Sequence, residues 1–361
     1  MSFDVKQLAP ARAKKKIVAL DELHLVDEHS TEQKIDGERY LIHTYTEGDF
    51  AVTSRRISEV TGFYVEKTNR VPHIARHKAL PPRSVLDNEF VSSGDITLLD
   101  LPGKYWDKMY PHPHTSWLKT KFGGGLPVYP HVGNTVSIMG SNADLAVAKQ
   151  IERGMIWAYC FDILFYDMKK VTQNSQAKRR DFLAKVLMDT NPEDGVILMP
   201  SWTSLTRAEK EELYFLITDI RGEGLIYKDP ACEYNHAKAW WKHKRDYPAD
   251  VILTGNYKMG NEGVTGKMLG KVGSLEIGVF NKKGLIQPIG WMSAIMDSEA
   301  KLTELTNMAM NGTLEGLVVE ARHNGIQKGS KMTLRHPRFR RWRYDHNPQD
   351  CTLDKLIEDA G

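Results

Sequence analysis

The part of this sequence best suited to covalent chemistry is Lys34-Ile35-Asp36-Gly37-Glu38-Arg39, a lysine followed at fixed spacing by Asp-Gly and an arginine. Lysine is a nucleophile only as the neutral amine, so burial and neighbouring cations are expected to depress its pKa. Lys242 and Lys244, in Trp240-Trp241-Lys242-His243-Lys244, are the natural cations. Glu89, in Leu86-Asp87-Asn88-Glu89, and Glu223, in Glu223-Gly224-Leu225-Ile226-Tyr227-Lys228, carry hard carboxylate oxygens of the kind Mg²⁺ takes. Each residue also has an ordinary alternative. Asp-Gly is a common turn pair, a lone glutamate usually sits on a surface, and an aromatic such as Phe161 in an apolar run usually belongs to a core.

Other patterns carry less. Gly255 to Gly273 is rich in glycine and lysine, but Gly266-Lys267 lacks phosphate-loop spacing and is followed by Met268 rather than Ser or Thr. A hairpin whose lysines touch a phosphate backbone, or a solvated loop, fits it better. His112 and His114 have no zinc-spaced partners and read as a loop. No G-x-S-x-G element stands out. The net charge is only +3, yet basic residues are bunched at Arg12 to Lys16 and at Arg335 to Arg343, where five arginines fall in nine positions. The second run interleaves Phe339 and Trp342, which suits phosphate contact better than solubility alone.

The elements that must position these groups follow from pattern. Tyr40 to Tyr45 and Phe50 to Thr53 read as two strands around a turn at Glu47-Gly48-Asp49. Residues 69 to 150 are less regular and rich in Pro, Gly and His until a helix at Ala143 to Arg153. Trp157 to Tyr166 is apolar and short enough for a buried strand. Helices are expected at Gln176 to Met188 and at Thr206 to Arg221, the latter capped by Thr206 with Glu209. Beyond Asp246-Tyr247-Pro248, short apolar strands at 250–257, 271–280, 284–291 and 314–320 suggest a small β-barrel. The boundary is expected near 245 to 249.

Composition bounds the rest. The chain has 361 residues, 41% hydrophobic and 26% charged, enough for two domains of an ordinary globular protein. No window approaches the roughly 18 to 20 apolar residues of a membrane span. Met1 to Lys16 has no apolar core of a signal peptide. Three distant cysteines, Cys160, Cys232 and Cys351, fit reduced thiols. A cytoplasmic location is the expectation, with no membrane partner and a monomeric state.

Taken in order, the motifs resemble those of the covalent nucleotidyltransferase superfamily, and within it the compact ATP-dependent DNA ligases of bacteriophages. The nucleophile motif at Lys34 to Arg39 is followed by Ser54-Arg55, then Leu86 to Glu89 with Asn88 where the family has Gly. Phe161-Asp162-Ile163-Leu164, Glu223 to Lys228 and Trp240 to Lys244 come next. Arg343-Tyr344-Asp345-His346 closes the series, with His346 where the family has Lys. The resemblance spans roughly residues 30 to 346.

What the resemblance implies is an α+β fold: an antiparallel-sheet, ATP-grasp-like nucleotidyltransferase domain over 1–245, an OB-fold barrel over 246–350, and a tail over 351–361. It implies a ligase that seals nicks in duplex DNA, using ATP with AMP carried covalently on Lys34, and Mg²⁺ with Mn²⁺ able to replace it. Lys34, Lys242 and Lys244 would be catalytic. Glu32 would read the adenine amino group, with Gln33 beside it in the nucleotide site, and Phe161 would stack on the base. Arg39 and Arg55 would hold AMP or the nick phosphate. Glu89 would reach the ribose and the metal, and Glu223 the metal. Arg343 and Asp345 would orient the pyrophosphate when the barrel closes, with Pro248 near the hinge. Only about thirty residues precede Lys34, so the two domains would hold the duplex themselves, with residues 92 to 150 as an added surface beside the nick. Two readings stay open beside this one: an RNA ligase or capping-type nucleotidyltransferase, and a binding protein with an inactive site.

Overall fold

A computed structural model describes residues 15–17, 20–45, 50–75, 83–260, 270–294, 298–327 and 332–359, with the side chains of Arg55, Arg56 and Ala75 outside the description. The turn expected at Glu47 to Asp49, Arg12 to Lys14 and Lys267 therefore lie outside the described residues. The fold is α+β with mostly antiparallel sheets, and the chain divides into two units, Met1–Lys244 and Arg245–Gly361. Among the described residues no helix is long and apolar enough to cross a membrane.

The apolar run in strand Ile156–Tyr166 does not alternate because both of its faces are covered. It lies in a seven-stranded sheet whose main path runs Lys169–Lys170, Ile156–Tyr166, Ser84–Ser92, Glu38–Thr44, Phe50–Ile57, Tyr64–Glu66, with Val196–Leu198 pairing in parallel on Ile156–Tyr166. One face, with Trp157, Tyr159 and Phe161, packs against Trp202, Leu225, Tyr227 and Trp240 of a second sheet. That sheet has five strands in the order Lys15–Ile17, Trp240–Lys244, Gly224–Lys228, Ser30–Lys34, Ser201–Trp202. The other face, with Ala158 and Cys160, meets helical residues Ile138, Met139, Ala146, Leu183 and Ala184.

The stretch from 69 to 150 is more regular than its punctuation suggests. Helices Gly103–Asp107, Pro113–Lys121 and Gly133–Met139 precede Ala143–Arg153, and a ribbon pairs Thr97–Asp100 with Gly125–Val128. His112 is not in a plain loop. Its Nδ1 accepts from the His114 backbone N–H at 3.1 Å and caps helix Pro113–Lys121, while its Nε2 lies 3.0 Å from the Ala184 carbonyl. Leu99, Tyr105, Trp106, Leu118 and Tyr129 are buried in the intersheet core, so this segment holds up the domain rather than only adding a surface. Helix Arg207–Asp219 begins with the expected reciprocal cap between Thr206 and Glu209.

In the second unit five strands close a barrel. Tyr247–Met259, Val272–Phe280, Ile286–Ser293, Arg338–Trp342 and Val318–His323 follow in that order, and the last pairs back on the first. Ile286–Ser293 and Arg338–Trp342 run parallel, the other neighbours antiparallel, and helix Glu299–Met310 fills the connection after Ile286–Ser293 with Leu302, Leu305 and Ala309 buried. This is the small β-barrel the patterning suggests, of the OB type that the resemblance implies. Three details differ. Strand Arg338–Trp342 is the arginine run itself, where Arg338 pairs with Asp246 and Arg341 with Glu320. Pro248 is already inside the first strand, opposite Arg322, so the non-strand link between the units is Arg245-Asp246. Residues 351 to 359 are no loose tail: Cys351 and Leu356 are buried on the barrel, the latter from helix Leu353–Asp359.

Candidate active site

Strand register assembles the site. In the five-stranded sheet Lys34, Gly224 and Lys244 stand in one row, and Glu32, Ile226 and Lys242 in the next. Side chains two apart on a strand share a face, so the row puts Lys34 and Lys244 on one side of the sheet. Gln33, 4% exposed, alternates to the other face. Glu223, the residue before the middle strand, bridges the row: Lys34 Nζ donates to its Oε2, and Lys244 Nζ lies 3.7 Å from its Oε1. The glycine of Glu223-Gly224 is required by this closeness. Gly224 has φ +131°, and a Cβ there would stand 2.1 Å from the His243 carbonyl oxygen.

Lys34 ends a strand of one sheet, and Glu38 begins a strand of the other. The corner between them holds Gly37, where a Cβ would meet the Phe90 carbonyl at 2.4 Å and Glu89 Cγ at 2.8 Å. The corner thus brings Glu89 beside the nucleophile strand, with Arg39 opposite it in register. Burial pushes the Glu89 carboxyl up to about 8; Lys34 and Arg39 oppose the shift, Glu223 and Asp87 add to it.

Arg39 is held more firmly than its expected phosphate role requires. Its Nε donates to Asp87 Oδ1 at 2.8 Å, its Nη2 pairs with Asp87 Oδ2, and the same Nη2 donates to Tyr234 Oη at 2.9 Å. The guanidinium carbon lies 5.1 Å from the Phe161 ring centroid and 5.4 Å from that of Trp240. Phe161 is 9% exposed and meets Trp240 edge to face. The pairing slips by one residue there, since Asp87 faces Asp162 while Asn88 faces Cys160, which leaves Phe161 as the extra residue of a β-bulge. Bulges re-aim side chains beside functional sites.

Glu32 is 2% exposed and enclosed by cations, with Lys228 Nζ 2.6 Å from Oε2 and Arg180 Nη1 3.7 Å from Oε1. Lys228 also donates to the Phe161 carbonyl at 2.8 Å, which ties the two residues expected at the base. Asp162, next to Phe161, has a structural task. Its two oxygens accept from Arg179 Nε at 2.8 Å and Nη2 at 3.0 Å, and both side chains are essentially inaccessible. Asp162→Ala strands a buried guanidinium, so we expect a loss of about 3–5 kcal/mol. Calorimetry should record a fall in Tm of roughly 6–15 °C for the first unit.

The charge state of Lys34 corrects the first expectation. Burial does pull its amine down, but Glu223, Glu89 and Asp36 outweigh burial, and the net shift is upward. Glu223 accepts directly from Nζ, which favours the ammonium form of Lys34. Lys242 faces Ile226 on one side and Lys16 on the other.

Arg343 and Asp345 belong to the barrel. Arg343 Nη1 donates to Asp250 Oδ1 at 2.8 Å and Oδ2 at 3.0 Å, and its Nε donates to Asp345 Oδ1 at 3.1 Å. Arg55 lies in strand Phe50–Ile57, but its side chain is outside the description. Among the described residues no group of three His, Cys, Asp or Glu side chains could hold a metal. Glu89 and Glu223 around Lys34 instead fit Mg²⁺ as it binds nucleotides, through one or two carboxylates with phosphate oxygens and water completing the shell. Sequence reasoning missed Asp87, Tyr234, Arg180, Lys228 and Asp250 as partners. Only Asp87 and Lys228 lie inside motifs that could have signalled them.

Comparison with known proteins adds the following. The family model described as the ATP dependent DNA ligase domain matches residues 11–244. Relatives include DNA ligase 2 of Korarchaeum cryptofilum, 23% identical over 90% of this chain and 54% of that protein. The DNA ligase of Methanococcus aeolicus is 25% identical over 88% of this chain and 52% of that protein. The chain thus spans about half the length of these curated relatives. Among solved structures, Pmar-Lig_Pre. superposes with a TM-score of 0.61 at 16% identity, covering 91% of this chain and 66% of that one. A structure from a study of DNA binding with a minimal scaffold in Lig E DNA ligases gives 0.55 at 17% identity, covering 93% and 99%. Both likenesses are of fold.

Proposed function

The chain belongs to the ATP-dependent DNA ligase family, and from that premise we propose that it seals nicks in duplex DNA through AMP carried first on Lys34 and then on the nick's 5′-phosphate. The observation that carries the reading is the row of Lys34, Gly224 and Lys244 across three adjacent strands, with Glu223 bridging the two lysines. In the first step Lys34 Nζ leaves Glu223, loses a proton to solvent to become the neutral amine and bonds to the α-phosphorus of ATP with loss of a second, while the bond to pyrophosphate breaks. Lys244, with Lys242 two residues away on the same face, neutralises charge on the transferring phosphate. Glu32 accepts from the adenine amino group, Phe161 offers the base a ring, and Arg343 with Asp345 orients the pyrophosphate. A divalent cation held by Glu89 and Glu223 would supply further positive charge at the phosphates. In the second step a 5′-phosphate oxygen of the nick takes the AMP and Lys34 recovers its protons. In the third the 3′-hydroxyl attacks that phosphate and AMP leaves.

A 5′-phosphorylated nicked duplex incubated with the protein, ATP and Mg²⁺ should yield the continuous strand, and GTP should not replace ATP. Sealing confined to nicked RNA would favour an RNA ligase. Covalent labelling from GTP without sealing would favour capping-type chemistry.

A further inference from the structure

Asp250 and Glu320 face each other on adjacent barrel strands. Carboxylates directly opposite repel, and the barrel answers with arginines. Glu320 accepts from Arg341 Nε at 2.8 Å and pairs with Arg322 Nε at 3.1 Å. Asp250 accepts twice from Arg343 Nη1, and His346 Nε2 lies 3.8 Å from its Oδ2. Arg343 and Asp250 are both mostly covered, at 18% and 17% side-chain exposure, whereas Asp345 is 73% exposed. Asp250, seated in strand Tyr247–Met259, is therefore the carboxylate that fixes Arg343 to the barrel wall.

We propose that Asp250 is a positioning residue for Arg343 in nucleotidyl transfer to Lys34. The proposal rests on the reading of Arg343 given above. Arg343 Nη1 is committed to Asp250 and Nε to Asp345, while the contacts of Nη2 to Asp345 Oδ2 and His346 Nδ1 are both longer, at 3.4 Å. Nη2 is the least engaged donor, and the clamp on Nη1 sets its direction in advance. Arginine loses much rotamer freedom when it binds an anion, and a group already fixed loses less. A partly exposed ion pair adds little to stability by itself, so the pair's main consequence lies in geometry.

The test separates the steps in the full-length protein. Asp250→Ala and Asp250→Asn should slow transfer of labelled AMP from ATP to Lys34 by on the order of 10- to 100-fold. Sealing of a nick already carrying 5′-AMP, which involves no pyrophosphate, should change by less than about threefold. Tm should stay within about 2 °C, and Asp250→Glu should recover part of the first step. Equal loss in both steps with a large fall in Tm would overturn the proposal in favour of a structural role. Unchanged or faster transfer would overturn it too, the faster case marking Asp250 as a restraint on Arg343. Arg343→Ala run in parallel keeps the layers apart. If it transfers AMP normally, the reading of Arg343 fails; if it is defective while the Asp250 variants are not, only the Asp250 proposal fails. A wild-type protein that takes no label would sink the ligase reading beneath both.

Discussion

Lys34→Ala should accept no AMP from labelled ATP and seal no nicks from ATP, a loss of at least about four orders of magnitude. Alanine removes the nucleophile, and Lys242 and Lys244 stand on a different strand, across Gly224–Lys228 from the one that Lys34 ends. Lys34→Arg should fail as completely, because a guanidinium cannot shed its proton at working pH. The fold should persist. Lys34 and Glu223 are each 23% exposed, and Glu223 keeps Lys244 at 3.7 Å, so deletion should cost only about 1 kcal/mol. Because Glu223 raises the Lys34 pKa, wild-type labelling should climb with pH over the neutral range rather than level off. The measurement is a denaturing gel after pyrophosphate pretreatment to discharge any AMP already bound. Label on Lys34→Ala would remove Lys34 as the nucleophile, and a similar acid-labile adduct elsewhere would have to be mapped.

The row around Lys34 was legible because each member sits in a short run whose residue types are tied to one task. Lys34, Glu223 and Lys244 are far apart in sequence, and it was their motifs rather than any strand pattern that pointed to them; in the fold Lys34 and Lys244 end strands and Glu223 precedes one. What could not be read is who pairs with whom. Arg39 meets Tyr234 across 195 positions, and Glu32 meets Lys228 from a strand paired only after folding. The sign of the Lys34 shift was missed for the same reason: charge types are visible in sequence, but distances decide whether cations or carboxylates dominate.

The segment from 69 to 150 hid its helices because they are short and opened by Pro or Gly, and because their buried residues serve a core built from distant strands. Leu118 and Tyr129 meet Trp157, Tyr159 and Trp202, so the local pattern has no single apolar stripe. The barrel strand Arg338–Trp342 was masked differently. Arginines at 338, 340 and 341 break the usual polar alternation, and only the facing Asp246 and Glu320 make that strand acceptable.

Glu89→Gln should make the protein more stable at alkaline pH while impairing its chemistry. The Glu89 carboxyl, 4.5 when unperturbed, lies at about 8 in the folded chain, chiefly because burial disfavours the charge. A folded pKa above the unfolded one means the folded state holds the proton more tightly. Its contribution is full below about pH 4.5 and is lost as pH rises through about 8. Glutamine mimics the protonated form at every pH, so wild type and variant should match near pH 4.5 and diverge above it. At about 1.4 kcal/mol per unit, the gap should grow by roughly 3 kcal/mol between pH 5.5 and 8.5, which a thermal melt reads as several degrees. AMP transfer by the same variant should fall by about 10²-fold, as expected when a charged group beside the reacting phosphate is removed. A carboxyl that burial holds protonated up to about pH 8 and that nonetheless raises the rate needs a partner favouring its ionised form, and the divalent cation proposed at Glu89 and Glu223 supplies one. Metal binding requires the deprotonated carboxylate, so Mg²⁺ should narrow the stability gap between wild type and variant as pH rises. A variant no more stable than wild type at pH 8.5 would show that Glu89 is ionised there without strain, and the pairing with Lys34 and Arg39 would then outweigh its burial.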